Sequence, residues 1–344
     1  MKIPHLLPLL ALAGLAASAL PLAAVSAPLS ITWRESTPGP EPRAGYAGGQ
    51  IGGKLVLVGG TYWEGKKGDW TKKVFTAATH VFDPKTETWE KLADAPVTLG
   101  YSAVAEVGGS LYVMGGVQNG VPGRDVLVLS KNASGYAWSK SVPLPDSRVF
   151  ATAVAIGRMI YLIGGTREFE PFDAKGTCCT SKSDTKTMWM LNTMHPEKGW
   201  TTLPEYPGQA RWAERAAARG LTIYLFGGHH QALQKDPVQD FNEVLRYDIP
   251  THKWSRVGDM PETAQGGANV MVGGKVVIVA SNHHVTVFDP ATGKFTPAAD
   301  LPEDAALDAV VKIGNQLVGS EGENKVEGPR RRSSWTFIGD LGKK

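Results

Sequence analysis

Short apolar runs punctuated by glycine recur along this chain. Leu55-Val56-Leu57-Val58 ends in Gly59-Gly60, and the doublet returns as Gly115-Gly116, Gly164-Gly165 and Gly227-Gly228, each after a similar run. Runs of this length bounded by turn residues predict β-strands. A second mark follows most doublets: Phe82-Asp83-Pro84 with Trp89, Tyr247-Asp248 with Trp254, and Phe288-Asp289-Pro290 with Phe295. In all three the closing aromatic lies six places after the aspartate, so the units share one register. Trp138 and Trp200 close two more units that lack the aspartate, and the doublets stand about 50 residues apart, a period found in repeat architectures.

Each unit is expected to hold four antiparallel strands. In the second unit these are 102–107, Ser110–Met114, 125–129 and a strand around Trp138, with Gly108-Gly109 as a tight hairpin turn. The same reading pairs 151–156 with Met159–Ile163, and 269–272 with Lys275–Val279. The doublet decays to Ala280-Ser281 in unit five and Gly319-Ser320 in unit six. Unit six offers strands at 309–313, 316–318 and 334–338, then ends one strand short. Ser30-Ile31-Thr32-Trp33-Arg34 supplies the missing one: it carries an unassigned tryptophan, and Pro38, Pro40 and Pro42 follow it as Pro96 and Pro143 follow Trp89 and Trp138.

The doublets, the Asp83-Pro84 and Asp289-Pro290 turns and the spaced tryptophans resemble the kelch family, over essentially the whole chain after its opening segment. WD40 units are shorter and carry different marks. The resemblance implies an all-β, six-bladed kelch-type β-propeller whose ring is closed by the N-terminal strand completing the last blade, which removes free sheet edges. The glycines then serve places where neighbouring backbones approach, and the tryptophans pack between blades.

Composition sets the setting. Gly 40 and Pro 23 point to many turns, and 42% hydrophobic residues suit a folded body. Lys2 precedes an apolar stretch from Leu6 to Leu22 and then small residues, the form of a secretory signal. Cleavage after Ala19 and after Ser26 both fit. Pro8 and Pro21 interrupt the stretch and argue against a retained anchor, and the absence of cysteine from the first 30 residues excludes lipid attachment there. The expected organisation is a signal over 1–26 and one propeller domain over 27–344, exported to the periplasm or beyond, with no stable membrane insertion once the signal is cut. Removing Lys2 from the 36 basic residues leaves 35 against 33 acidic, a near-neutral body that makes nucleic acid an unexpected partner. Arg330-Arg331-Arg332 is the local exception and reads as a solvated turn.

In a four-stranded antiparallel blade the end of strand two and the start of strand one share a face of the ring. That face collects Tyr62, Trp63, Glu64, Gln118, Asn119, Arg167, Glu168, His229, His230, Asn282, His283, His284, Glu321 and Glu323 from the loops. Arg43, Tyr46, Tyr101, Arg148, Arg211, Trp212, Glu214, Arg215, Gln265 and Asp308 join them from the starts of first strands. Arginines clamp carboxylates, aromatics stack on sugar faces, and Glu or His moves protons near neutral pH. Arg43, Arg148 and Arg211 or Arg215 recur at one repeat position, which suggests that they pin loops. Glu64, Glu168, Glu214 and the histidine pairs depart from the repeat and are better functional candidates. The expected site has Glu214, Glu168 and His229 for catalysis and Arg167, Arg215, Arg43, Trp63, Tyr101 and His283 for binding. The pairs His229-His230 and His283-His284 invite a metal, but neighbours on a strand point to opposite sides, so each pair offers one ligand and a third would have to be Glu214 or Asp308. The expectation is therefore no metal. Cys178-Cys179 form either a strained vicinal disulfide or two free thiols within the long 167–187 loop.

Size, export, blade number and ring closure also resemble the bacterial N-acetylneuraminate epimerase group of kelch proteins. That group has a Glu and an Arg six residues apart just after a doublet, whereas His229-His230-Gln231 here has neither. If the likeness holds, it implies a mutarotase acting on an acidic sugar by acid/base ring opening, with Glu214 or His229 as acid, Glu168 as base and Arg167 or Arg215 on the carboxylate, and no cofactor. A non-catalytic glycan- or protein-binding propeller is the alternative. A galactose-oxidase-like copper enzyme is a third, although only Tyr62, Tyr46 and Tyr101 are near the face and the two cysteines sit side by side.

Overall fold

The apolar runs are second strands, and their burial explains why they do not alternate. Lys54–Val58, Met159–Ile163, Thr222–Phe226 and Lys275–Val279 each show one partly exposed residue and then four buried ones. A strand covered on both faces needs apolar side chains at every position. The structure, a computed structural model, describes residues 29–64, 72–170, 181–231, 236–263, 267–303, 305–324 and 331–342, without the side chains of 181, 324 and 331–333. The expected signal segment 1–26 and Cys178-Cys179 lie outside the described residues.

The chain is all-β apart from two short 3-10 turns among the described residues. Its first sheet runs Ala47–Ile51, Lys54–Val58, Thr79–Asp83, Thr88–Lys91 from inner to outer strand. The second is Ala103–Val107, Ser110–Met114, Val126–Asn132, Gly135–Lys140, and the third Thr152–Ile156, Met159–Ile163, Met188–Asn192, Trp200–Leu203. Arg215–Arg219, Thr222–Phe226, Glu243–Asp248 and Lys253–Asp259 form the fourth; Ala268–Val272, Lys275–Val279, Val285–Asp289 and Lys294–Pro297 the fifth. In the sixth, Val310–Ile313, Gln316–Asn324 and Arg331–Leu341 are followed by Ile31–Ser36 from the other end of the chain, paired antiparallel with Ile31 opposite Leu341 and Ser36 opposite Thr336. The middle strands here run longer than 316–318 and 334–338, because a bulge between Ser320 and Gly322 carries the hairpin on to pair with Ala305–Ala306.

Inner strands lie side by side: Ala47–Ile51 beside Ala103–Val107 and Val310–Ile313, Thr152–Ile156 beside Ala103–Val107 and Arg215–Arg219, and Ala268–Val272 beside Arg215–Arg219 and Val310–Ile313. They approach closely because their residues are small. A Cβ on Gly48 would lie 2.4 Å from the Ala309 Cβ. The core is divided among the seams. Val56, Val58, Leu111 and Leu127 fill the one between first and second sheets, and Leu55, Leu57, Phe82, Val318 and Ile338 the one between first and sixth. Each fully buried side chain of this size contributes about 1.5–3 kcal/mol.

The repeated marks have repeated jobs. Asp83 and Asp289 accept the backbone N–H two residues on, and Asp248 the one three residues on, which closes the turn before the outer strand. On the outer strands the Trp33, Trp89, Trp138 and Trp254 indoles donate to Ala299, Thr37, Ala93 and Pro204 carbonyls, each in the linker entering that tryptophan's own sheet. At the doublet, Gly59 and Gly60 have φ of 64° and 104°, and a Cβ on Gly59 would stand 2.6 Å from the Leu99 carbonyl oxygen. This arrangement of kelch-like marks on packed antiparallel sheets is consistent with a β-propeller.

Candidate functional site

One residue stands two places before each of the first four inner strands: Gly45, Tyr101, Phe150 and Ala213, with φ of 67°, 60°, 57° and 58°. The left-handed turn points their N–H and C=O groups along the row. Tyr101 N donates to Gly45 O (2.7 Å), Phe150 N to Tyr101 O (3.0 Å) and Ala213 N to Phe150 O (3.1 Å). Three of the four are not glycine, and a bulky residue at positive φ is strained, so the row holds its side chains where the backbone alone would not. What it holds is an aromatic wall. The ring centroids of Tyr101 and Phe150 are 4.4 Å apart and those of Phe150 and Trp212 4.7 Å, with Phe75 and Phe169 packed behind.

This wall borders a cavity of about 440 Å³ among the inner strands. Arg215, Asn269, Ser281, Asp308 and Glu323 line it as well. Arg215 Nε donates to Gly267 O (2.5 Å), and the described residues offer no hydrogen-bond acceptor to its two terminal nitrogens. Burial pulls this guanidinium below its ordinary pKa, while Asp308 and Glu214 pull it back up. Both amide atoms of Asn269 and the Trp212 Nε1 are buried and have no hydrogen-bond partner among the described residues. Buried polar atoms are nearly always satisfied, so this cluster of open donors and acceptors in one cavity marks a place for a ligand or for water. Asp308 Oδ2 receives the Gly45 N–H at 2.6 Å and ties the polar side to the start of the aromatic row.

The structure brings Tyr101 and Arg215 to the cavity, with Trp63 linked to it through Lys73, whose Nζ lies 5.0 Å from the Trp63 ring centroid and donates to the Tyr101 hydroxyl. Tyr46, Trp212, Asp308 and Glu323 of the predicted face line it too, whereas the other candidates for catalysis and binding stand elsewhere. Arg43 is fully buried and uses its donors on Glu321 (2.6 Å), the Gly59 and Ala78 carbonyls and His80 Nδ1, so it pins the seam between first and sixth sheets. Arg148 lies on the Trp189 ring and Arg211 binds Glu243 at 2.6 Å, the structural role their shared repeat position suggests. Glu214 is fully buried beneath the aromatic row and receives the Tyr206 hydroxyl. Burial pushes its carboxyl up to about 8, against the opposing effects of Arg211 and Tyr206.

His229 sits behind the wall. Its ring centroid is 4.3 Å from that of Trp212, its Nδ1 is 2.9 Å from Asp240 Oδ1, and burial lowers its pKa against the pull of Asp240. Arg167 is an exposed partner of Asp146 at 3.1 Å, and Glu168 is exposed with its N–H on Ser183 Oγ. Neither lines the cavity. His283 lies in a turn beside His284 and not on a strand, so the two imidazoles do not point to opposite sides as strand neighbours would; their centroids are 4.6 Å apart. Phe150 and Asn269 are the residues that sequence reasoning missed. Aligning the position two places before each inner strand places Phe150 with Tyr101; Asn269 carries no such signal.

Comparison with known proteins agrees with the repeat reading. The Kelch motif family model matches residues 42–96 and 215–261. The chain is 27% identical over 263 residues to the Kelch-like protein terF of Aspergillus terreus, covering 72% of this chain and 51% of that protein. It is 24% identical over 243 residues to Kelch-like protein 23 of Mus musculus, covering 69% and 38%. An N-acetylneuraminate epimerase of Vibrio vulnificus matches over 107 residues at 31% identity, covering 30% and 28%. The chain thus spans about half, or less, of the length of these relatives.

Proposed function

We propose that this kelch-repeat chain is a six-bladed propeller, closed by its N-terminal strand, that serves as a binding module for an acidic group presented by another protein. Closure is supported by the pairing of Ile31–Ser36 with Arg331–Leu341 and by the inner-strand neighbours that lead from the sixth sheet back to the first. The observation that carries the binding reading is the cavity itself: Arg215, whose Nε donates to Gly267 O, and the buried amide of Asn269, without a partner among the described residues, line the same cavity as Tyr101, Phe150 and Trp212. A carboxylate on Arg215 satisfies the guanidinium in its two-toothed geometry, and the apolar part of the same ligand lies against the rings. The matches to Kelch-like proteins favour this reading over catalysis, as do the positions of Glu168 on the surface and Glu214 in the interior.

A second reading has its own support. The partial match to N-acetylneuraminate epimerase, together with a cavity of about 440 Å³ holding one arginine and several aromatics, favours a free acidic sugar as the occupant. An array of acidic and neutral peptides probed with the wild-type chain and with Arg215→Ala tests the first reading. Capture confined to acidic peptides and lost in the variant supports it; no dependence on peptide charge or on Arg215 overturns it. Proton NMR of freshly dissolved α-sialic acid, with and without protein, tests the second, which fails if anomer exchange is not accelerated.

A further inference from the structure

Beside the cavity, the turn between the second and third strands of the fifth sheet gathers three metal-binding side chains. Ser281 lines the cavity, and His283 and His284 follow it; Asp300 comes from the segment after the outer strand Lys294–Pro297. One ligand atom from each of His283, His284 and Asp300 lies within 4.8 Å of the other two. His283 has φ of 64°, and this left-handed step cancels the alternation that sends strand neighbours to opposite faces, leaving the rings tilted by 40° on the same side.

Backbone bonds clamp the group. Ala280 N donates to His284 O (2.9 Å), Leu301 N to His283 O (3.1 Å), and Val285 N to Asp300 Oδ1 (2.9 Å). The second carboxylate oxygen, Asp300 Oδ2, is 3.0 Å from His284 Nδ1. Nitrogen and oxygen ligands at 2.0–2.2 Å around a tetrahedral zinc ion stand roughly 3.3 Å apart, so this pair is already at ligand spacing.

We propose that His283, His284 and Asp300 bind one divalent transition metal of the zinc class, with its fourth position open to solvent. Two imidazoles and a carboxylate suit such an ion better than calcium or magnesium, which prefer all-oxygen sites. Metal binding requires both imidazoles unprotonated and the carboxylate ionised, so uptake weakens on acidification. This site is independent of what the cavity holds.

The test uses the untagged full chain, stripped with a chelator and titrated with Zn²⁺ by calorimetry, with metal analysis after gel filtration. One ion per chain is expected, with affinity reduced roughly tenfold or more in His284→Ala, in Asp300→Asn and in the His283→Ala/His284→Ala double variant. Far-UV circular dichroism of the metal-free variants verifies folding. In the wild-type chain Co²⁺ gives the visible bands of a tetrahedral nitrogen and oxygen site, a readout that needs no variant. The absence of saturable binding, undiminished binding in the folded double variant, or an octahedral Co²⁺ spectrum overturns the proposal.

Discussion

Tyr206 donates its hydroxyl hydrogen to Glu214 Oε1 across 2.8 Å, and both side chains are shut away from solvent. The same hydroxyl oxygen accepts the Arg211 N–H at 3.2 Å, so one tyrosine joins the entry to the fourth sheet to the acid beneath the aromatic row. Removing the hydroxyl leaves a buried acceptor and a buried donor unmatched, which costs about 1–3 kcal/mol. Tyr206→Phe should therefore lower Tm by several degrees and shift the urea midpoint by a matching amount. Calorimetric and urea unfolding of the two chains measure this, and equal stabilities would mean that the bond carries no net stabilisation.

Glu214 also makes stability depend on pH in an unusual direction. Its carboxyl is pushed up to about 8 by burial, above its ordinary value of 4.5, so the folded chain holds a proton that the unfolded chain releases. Its contribution is complete below 4.5 and is lost as pH rises through 8. Glu321, pushed up to about 7 by burial, acts in the same sense, whereas His80, lowered to about 4 by burial and Arg43, costs stability as pH falls from 6.5 towards 4. Glu214→Gln keeps the shape and carries no charge. Its Tm should match wild type near pH 5 and fall less steeply between pH 6 and 9. Parallel curves across that window would show that Glu214 is ionised in the fold.

Arg43 and Glu321 form a salt bridge at 2.6 Å with both side chains fully buried. Breaking such a pair from one side costs about 3–5 kcal/mol, because the remaining charge has neither water nor partner. Loss of the arginine also raises the Glu321 pKa further, so protonation at low pH relieves part of the damage. Arg43→Met is expected to lose most stability at pH 8 and distinctly less at pH 5.5, read from urea midpoints at the two values. An equal loss at both would assign the whole effect to the Gly59 and Ala78 carbonyls that Arg43 also binds.

The strands were legible because burial on both faces writes continuous apolar runs, and the Trp33 strand was legible because its tryptophan had no other unit to close. The site was less so. Glu214 and Arg215 are neighbours at the start of one strand, and a pattern of residue types puts both on the same face; only the folded chain sends Glu214 under the row and Arg215 into the cavity. Tyr101 and Phe150 occupy a position whose left-handed backbone ordinarily selects glycine, as Gly45 shows, so propensity hides the equivalence that builds the wall. Arg43 illustrates the reverse: its recurrence with Arg148 and Arg211 suggests a pinning role, and its buried bonds to Glu321, Gly59 and Ala78 fit that role.

Trp33 faces Gly339 across the pairing that joins the two ends of the chain. A Cβ on Gly339 would lie 2.7 Å from the Trp33 ring and 2.9 Å from Ile31 Cγ2, so Gly339→Ala forces the N-terminal strand away from its partner. Strain of this kind typically costs about 1–3 kcal/mol. Trp33→Ala removes the ring and the Nε1 bond to Ala299 O (2.8 Å), and is destabilising by itself. The two effects should not add: with the ring gone, alanine at 339 meets less obstruction, and the double variant should be more stable than the sum of single losses by about 0.5–3 kcal/mol. Urea unfolding of the four chains gives this coupling directly. Strict additivity would place Trp33 away from Gly339 in solution and remove the main support for closure of the ring by the N-terminal strand.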